Sequence, residues 1–174
     1  MAWAFSLSVE CGRSQDAVKR FAVYFEGMTL TLSTGLSSRC HTTIFRDMDE
    51  NWWCRICPSD ISETGIEATD TAYLMTELGI LLYQQLRPAP SFRYGIAGVE
   101  VDEFRTYSEL LEETSIADFL ELVLAEDTWR ALASPSTFIP FTQGYVWQPY
   151  EGEVYKPLTV SPVLKEQMNN LLVA

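Results

Sequence analysis

The sequence predicts an α+β fold in which a mixed or mostly antiparallel sheet of five to seven strands packs against about four helices. Short runs of alternating or β-branched residues, separated by turn-forming residues, indicate the strands. Longer segments with apolar residues three and four positions apart, bounded by capping residues, indicate the helices. Because no repeat, low-complexity tract or linker interrupts the chain, we expect a single globular domain that spans residues 1–174.

The N-terminal part of the chain is predicted to form a strand, a helix and further short strands. Apolar residues alternate with small or polar residues from Trp3 to Cys11, and Gly12 ends this strand. Ser14 can cap the following helix and Gly27 can end it. The apolar stripe of this helix consists of Val18, Phe21, Ala22 and Phe25. Two of the next three strand-like runs should pair as a hairpin. These runs lie at 28–33, 41–45 and 52–57.

The middle of the chain is predicted to form a long helix and a central strand. The helix should run from about Thr69 to Leu86, because apolar residues recur on one side of it and Pro88 cannot continue it. The apolar segment 92–101 follows as a strand, and its glycines suggest a close approach by another backbone. We expect most helices on one face of the sheet, or alternatively helices on both faces.

The C-terminal part is predicted to contain two more helices with a hairpin or loop between them. Ser115 followed by Asp118 resembles a capping box, and the apolar stripe behind it predicts an amphipathic helix. Segment 138–157 contains three prolines among aromatic residues, which is typical of a loop or hairpin at a sheet edge. Ser161 and Pro162 are a suitable cap and first residue for the final helix.

The composition excludes several classes of function. The chain carries 24 acidic and 12 basic residues, a net charge of −12, which argues against binding to nucleic acids or anionic membranes. The first residues lack the basic and apolar regions of a secretory signal, and no apolar run is long enough for a membrane span. We therefore expect a cytoplasmic protein with four reduced cysteines.

The cysteines suggest redox or metal chemistry only weakly. Trp-Cys-x-x-Cys at 53–57 is similar to the thioredoxin redox signature, but Pro58 follows at once and no helix begins there to favour a thiolate. Cys40 and His41 would complete a four-ligand zinc set with Cys54 and Cys57, although the spacing is not that of a zinc finger. We expect structural cysteines, no cofactor, no catalytic residue and a protein that is not an enzyme.

Acidic residues are concentrated in one part of the chain. Segment 100–127 holds ten Asp or Glu residues and a single basic residue, Arg105. Such a block can steer a basic protein towards its binding surface, although it could equally be a solubilising face. We expect a binding module for a basic protein, comparable to an inhibitor or an immunity protein. The acidic residues predicted to contact the partner are Glu109, Glu112, Glu113 and Glu121.

Aromatic residues are concentrated in segment 138–157. Tyr and Trp combine apolar area with a polar group, which suits a recognition surface, although aromatics also anchor loops to a core. The aromatic residues predicted to join the acidic surface are Tyr145, Trp147 and Tyr150. The alternative is a small-molecule-binding domain or an enzyme whose pocket is lined by this segment.

Overall fold

The computed structural model describes residues 4–61 and 66–173, and these residues form an open antiparallel sheet of eight strands. The strands are β1 (Phe5–Glu10), β2 (Thr29–Thr31), β3 (Ser37–Arg46), β4 (Trp52–Pro58), β5 (Tyr94–Val99), β6 (Val123–Ala125), β7 (Ile139–Thr142) and β8 (Tyr145–Trp147). Their spatial order is β2-β3-β4-β1-β5-β6-β8-β7, and every neighbouring pair is antiparallel. Trp3, which the sequence places in the first strand, lies outside the described residues.

Six α-helices occur in the same ranges. They are α1 (Gln15–Phe25), α2 (Thr69–Leu86), α3 (Tyr107–Glu112), α4 (Glu126–Ala131), α5 (Pro157–Val160) and α6 (Pro162–Leu172). Two 3-10 turns at Val101–Glu103 and Ile116–Asp118 flank α3. None of the helices in these ranges has both the length and the apolarity that crossing a membrane requires.

The first face of the sheet packs against α1, α2 and α6. Because side chains alternate along a strand, Phe5, Leu7 and Val9 of β1 all lie on this face, and none is exposed. Ile56 of β4 and Ala97 of β5 both pair with Leu7 and continue the same apolar layer. The helices contribute the other half of this core. Their buried residues include Val18, Phe21, Phe25, Met75, Leu78, Leu82, Leu164 and Leu171.

The second face is covered as well, by segment 101–138. The β1 residues on this face are Ser6, Ser8 and Glu10, and all three are completely buried. Their neighbours Trp53 and Tyr94 belong to a separate cluster with apolar residues of the covering segment. The members from that segment are Leu110, Ile116, Leu122, Leu124 and Phe138. Helices therefore lie on both faces, as in the second of the two predicted arrangements.

Several predicted elements are confirmed. The N-terminal helix is capped by Ser14, whose Oγ accepts a hydrogen bond from the Ala17 amide at 3.2 Å. Helix α2 has the predicted bounds, and β5 lies inside the sheet between β1 and β6. The Ser161 Oγ accepts a hydrogen bond from the Leu164 amide at 3.3 Å and caps α6. Segment 138–157 begins with the β7–β8 hairpin at a sheet edge.

Other predictions need correction. The helix expected after Ser115 does not form: a 3-10 turn is followed by β6, and Glu121 between them has a φ of 75° that no α-helix accommodates. The apolar residues of 116–124 fit both a helical stripe and the alternation of a short strand, so periodicity did not separate the two. The described residues form eight strands and six helices, which is more than predicted. Elements of three to six residues are too short for their apolar periodicity to be recognised in the sequence.

Candidate functional site

A buried ion pair lies at the end of β1, on the second face of the sheet. Glu10 has no exposed surface, and its two carboxylate oxygens accept hydrogen bonds from Nε and Nη2 of Arg93, both at 2.6 Å. The Gly12 amide donates a third hydrogen bond to this carboxylate at 2.9 Å. Burial raises the pKa of Glu10, and the hydrogen bonds and charge of Arg93 oppose that rise.

The guanidinium of Arg93 packs against an aromatic ring and a glycine. Its Cζ lies 3.8 Å from the centre of the Tyr107 ring, a cation–π contact. It also passes close to Gly12, where an added Cβ would lie 3.6 Å from Nε. Gly12 has a φ of +76°, which glycine adopts without strain. The position of Arg93 is therefore fixed by a carboxylate, an aromatic ring and a glycine.

Two clefts meet at Arg93 and Tyr107, which line both of them. The first, here called the α3 cleft, has a volume of about 490 Å³ and lies between α3 and the turn that joins β3 to β4. The second, the α4 cleft, has a volume of about 400 Å³ and lies between α1, α4 and β8. Met48 and Leu111 line the α3 cleft, whereas Phe92 lines the α4 cleft.

The rim of the α3 cleft joins two acidic segments that are far apart in the sequence. The Asp49 carboxylate, in the β3–β4 turn, accepts hydrogen bonds from the amide and the hydroxyl of Ser108 at the start of α3. These hydrogen bonds lower the pKa of Asp49. The acidic face is the name used below for the carboxylates of this turn, of α3 and of the residues that follow it, namely Asp49, Glu109, Glu112, Glu113 and, in the next 3-10 turn, Asp118. Within segment 105–120 the only basic residue is Arg105.

Exposed apolar side chains lie within this acidic surface. Met48 is 88% exposed and Leu111 is 41% exposed, although both line the α3 cleft. Glu112, next to Leu111, points to solvent with no hydrogen bond to the described residues. Exposed apolar side chains and carboxylates therefore lie side by side at the α3 cleft.

Three of the four predicted acidic residues belong to the acidic face. Glu109 accepts a hydrogen bond from the Thr106 amide at 2.8 Å and completes a capping box at the start of α3. Glu113 pairs with Arg105 at 3.3 Å, and its pKa is lowered first by the Ser115 amide that donates to it. Glu109 and Glu113 therefore also stabilise α3 and its C-terminal turn, whereas Glu112 has no such role.

Glu121 lies elsewhere, where the covering segment returns to the sheet. Burial, followed by the charges of Glu153 and Glu151, raises the pKa of Glu121 to about 8. Burial also raises the pKa of Glu153, which accepts a hydrogen bond from the Tyr150 hydroxyl at 2.9 Å. At neutral pH the Glu121 carboxyl is therefore largely protonated, and it is a poor contact for a basic partner.

The three aromatic residues predicted to contact a partner differ in their burial. Trp147 and Tyr150 are core residues with at most 1% exposed surface, so a partner cannot reach them in this conformation. Tyr145 is partly exposed and lines the α4 cleft, where its ring stacks on Phe92 with centres 4.4 Å apart. Its hydroxyl also bonds to the backbone of Phe92. Of these three aromatic residues only Tyr145 lines the α4 cleft, and it also lines a separate cleft of about 460 Å³ together with residues 140–144 and Val146 of the same segment.

The cysteines and the histidine do not form a common site. Cys54 is buried on the first face, and burial raises its pKa to about 12, which keeps the thiol protonated. Cys57, three positions later on the same strand, lies on the opposite face. Exposed His41 lies 3.6 Å from Glu26. Within 4–61 and 66–173 no three His, Cys, Asp or Glu residues are grouped to hold a metal ion.

No protein-family model matches this chain, and neither a curated protein nor a solved structure matches it.

Several site residues are not singled out by the sequence. The alternation of β1 places Glu10 on the side that is normally solvated, and Arg93 and Asp49 belong to no motif. One sign in the sequence marks Glu10 as unusual, because it is an acidic residue in a strand that is otherwise mostly apolar. Only the fold shows that Glu10 is buried.

Proposed function

We propose that this protein binds a basic protein partner through the acidic face around α3. The observation that carries the proposal is the contact between Asp49 and Ser108, which joins the β3–β4 turn to α3 and so places two acidic segments on one surface. The surrounding charge supports it, because segment 105–120 contains four carboxylates and one arginine. A surface of this sign attracts a cationic partner over distances of about 10 Å at ordinary salt concentrations.

The apolar residues within the face define the partner further. Met48 and Leu111 would be covered by apolar side chains of a partner whose basic residues meet Glu112 and Asp118. Methionine is flexible and polarisable, and it adapts to side chains of different shape. Desolvation of these residues would provide affinity, while the carboxylates would determine the association rate and exclude acidic partners. The expected partner segment is therefore basic and amphipathic.

A labelled synthetic peptide with lysines on one helical side and leucines on the other provides a defined probe. Binding measured by fluorescence anisotropy should weaken as salt increases, and a peptide with glutamates in place of the lysines should not bind. The double variant Glu112→Lys/Asp118→Lys should bind the basic peptide at least about tenfold more weakly, because the two carboxylates become repulsive. Neither side chain makes a hydrogen bond to the described residues, so the fold should be unaffected.

The matched control is Glu67→Lys/Glu166→Lys, which changes the net charge equally at two exposed sites outside the face. Met48→Ser should weaken binding, whereas Val23→Ser, at another strongly exposed apolar residue, should leave it unchanged. Equal losses for both charge-reversal variants would show that only the overall charge matters. That result would contradict a specific acidic face.

A further inference from the structure

We propose that the α4 cleft is a binding site for a small carboxylate, which is held by the outer edge of the Arg93 guanidinium. A guanidinium has five N–H groups. Glu10 accepts from Nε and Nη2, and Nη1 donates to no described residue. The remaining N–H groups of Nη1 and Nη2 form the parallel pair that matches a carboxylate.

The side chain of Arg93 is also partly accessible to solvent. The Arg93 side chain is 30% exposed, whereas the Glu10 carboxylate bound to its Nε and Nη2 edge is completely buried. Gly12 and Tyr107 also pack against the guanidinium. Because Arg93 lines both clefts and its inner edge is bound to buried Glu10, the outer edge is the part left for a ligand. A ligand there would meet an arginine that is already immobilised and so has little side-chain entropy to lose.

Of the two clefts, the α4 cleft is the better site for an anion. Asp49 and Glu50 line the α3 cleft and oppose a negative ligand, and Arg13, which lines it too, offsets only part of their charge. Asp127 lines the α4 cleft, but its carboxylate accepts a hydrogen bond from Arg130 at 3.0 Å. The stacked rings of Phe92 and Tyr145 provide an apolar wall beside Arg93. The site therefore fits a carboxylate attached to a short apolar or aromatic body.

The ion pair itself supports a role in binding. A buried ion pair is often no more stabilising than apolar residues of the same volume, because both charges must leave water. Glu10 and Arg93 are thus poorly explained by stability alone. They are well explained if Glu10 positions Arg93, with the ligand accepting the remaining hydrogen bonds.

The test uses 3-phenylpropionate as the probe and its neutral amide as the control, with calorimetry at constant ionic strength. The acid should bind saturably, and the amide at least about tenfold more weakly, because a charge-assisted bidentate contact is lost. Arg93→Lys keeps the charge but not the paired N–H groups, and it should weaken binding of the acid about tenfold. Arg20→Lys, on the exposed side of α1, should bind as the unmodified protein does.

Two further measurements apply even if Arg93→Lys fails to fold. Ala17→Leu adds bulk to the wall of the α4 cleft without touching the ion pair, and it should abolish binding of the acid. In protein labelled with ¹⁵N-arginine, titration with the acid should shift the side-chain signals of Arg93 and not those of Arg20. Equal binding of acid and amide, unchanged binding in Ala17→Leu, or an unperturbed Arg93 signal would each overturn the proposal.

Discussion

The two faces of the sheet are covered by different kinds of structure. On the first face, β1 presents Phe5, Leu7 and Val9 to helices of 11 and 18 residues. On the second face, the same strand presents polar residues to segment 101–138, whose helices are six residues long. The β1 side chains of the first layer are apolar, although α2 adds a buried Glu77 that accepts hydrogen bonds from Ser33 and Gln167. The second layer encloses an ion pair and two serine hydroxyls that have no hydrogen-bond partner among the described residues.

This difference indicates where function can reside. Apolar packing stabilises the first layer, and its buried Glu77 is already paired with Ser33 and Gln167. The second layer combines a fixed arginine, aromatic rings and two clefts, and its outer surface carries the acidic face. Short elements with polar contacts are also the parts of a protein that open most easily. We therefore expect stability to depend mainly on the first layer and binding on the second.

The largest effect should come from breaking the ion pair of the second layer. Arg93→Leu leaves the Glu10 carboxylate buried without a counter-charge and should lower the free energy of unfolding by about 3–5 kcal/mol in urea titrations. The double variant Glu10→Leu/Arg93→Leu removes both charges and should recover most of this loss. A double variant as unstable as the single one would show that the pair stabilises the fold for another reason.

A leucine-to-alanine substitution in each layer should show whether the two layers unfold independently. Leu78→Ala in α2 and Leu110→Ala in α3 each remove a completely buried side chain and should cost about 2–4 kcal/mol. Hydrogen exchange should then differ between the variants. Leu110→Ala should accelerate exchange mainly in 105–120, whereas Leu78→Ala should accelerate it throughout the sheet. Identical exchange patterns would mean that the layers unfold as one unit.

Glu121 lies where the two layers meet, because its carbonyl accepts a hydrogen bond from Tyr83 of α2 at 2.7 Å. The unfolded chain releases the Glu121 proton near its ordinary pKa of about 4.3, but the folded protein holds it up to about pH 8. Stability should therefore fall as the pH rises between these values. Glu121→Gln should be more stable than the unmodified protein by at least about 1 kcal/mol at pH 8 and nearly equal to it at pH 4.

The smallest expected change in stability concerns Ser8, which lies under the covering segment. The Ser8 hydroxyl is completely buried and has no hydrogen-bond partner in the described residues. Ser8→Ala removes this unsatisfied group and should stabilise the protein by up to about 1 kcal/mol in thermal or urea unfolding. Ser37→Ala, in an exposed strand position, provides the control and should change stability by less than about 0.5 kcal/mol. A loss of stability in Ser8→Ala would indicate that this hydroxyl is satisfied after all.

The first layer could be predicted almost completely from the sequence, and the candidate site could not. Helices α1, α2 and α6 have long apolar stripes, so local pattern alone indicates where they lie. Ser14 and Ser161 also cap α1 and α6, whereas α2 has no side-chain cap and ends shortly before Pro88. The acidic residues of α3 were also identifiable from the local charge density. The clefts depend on Asp49 meeting Ser108 and on Glu10 meeting Arg93, contacts across 59 and 83 positions of the chain. No local pattern carries information about such distant pairs.

The sequence by itself determined the α+β class, the helices α1, α2 and α6, and the location of the acidic segment. These properties follow from periodicity and composition, which are local. Only the tertiary structure decided that the polar side of β1 is buried, that Trp147 and Tyr150 are core residues, and that Arg93 lies between two clefts. The physical reason is that a residue's burial and charge partners depend on segments that pack against it from elsewhere in the chain.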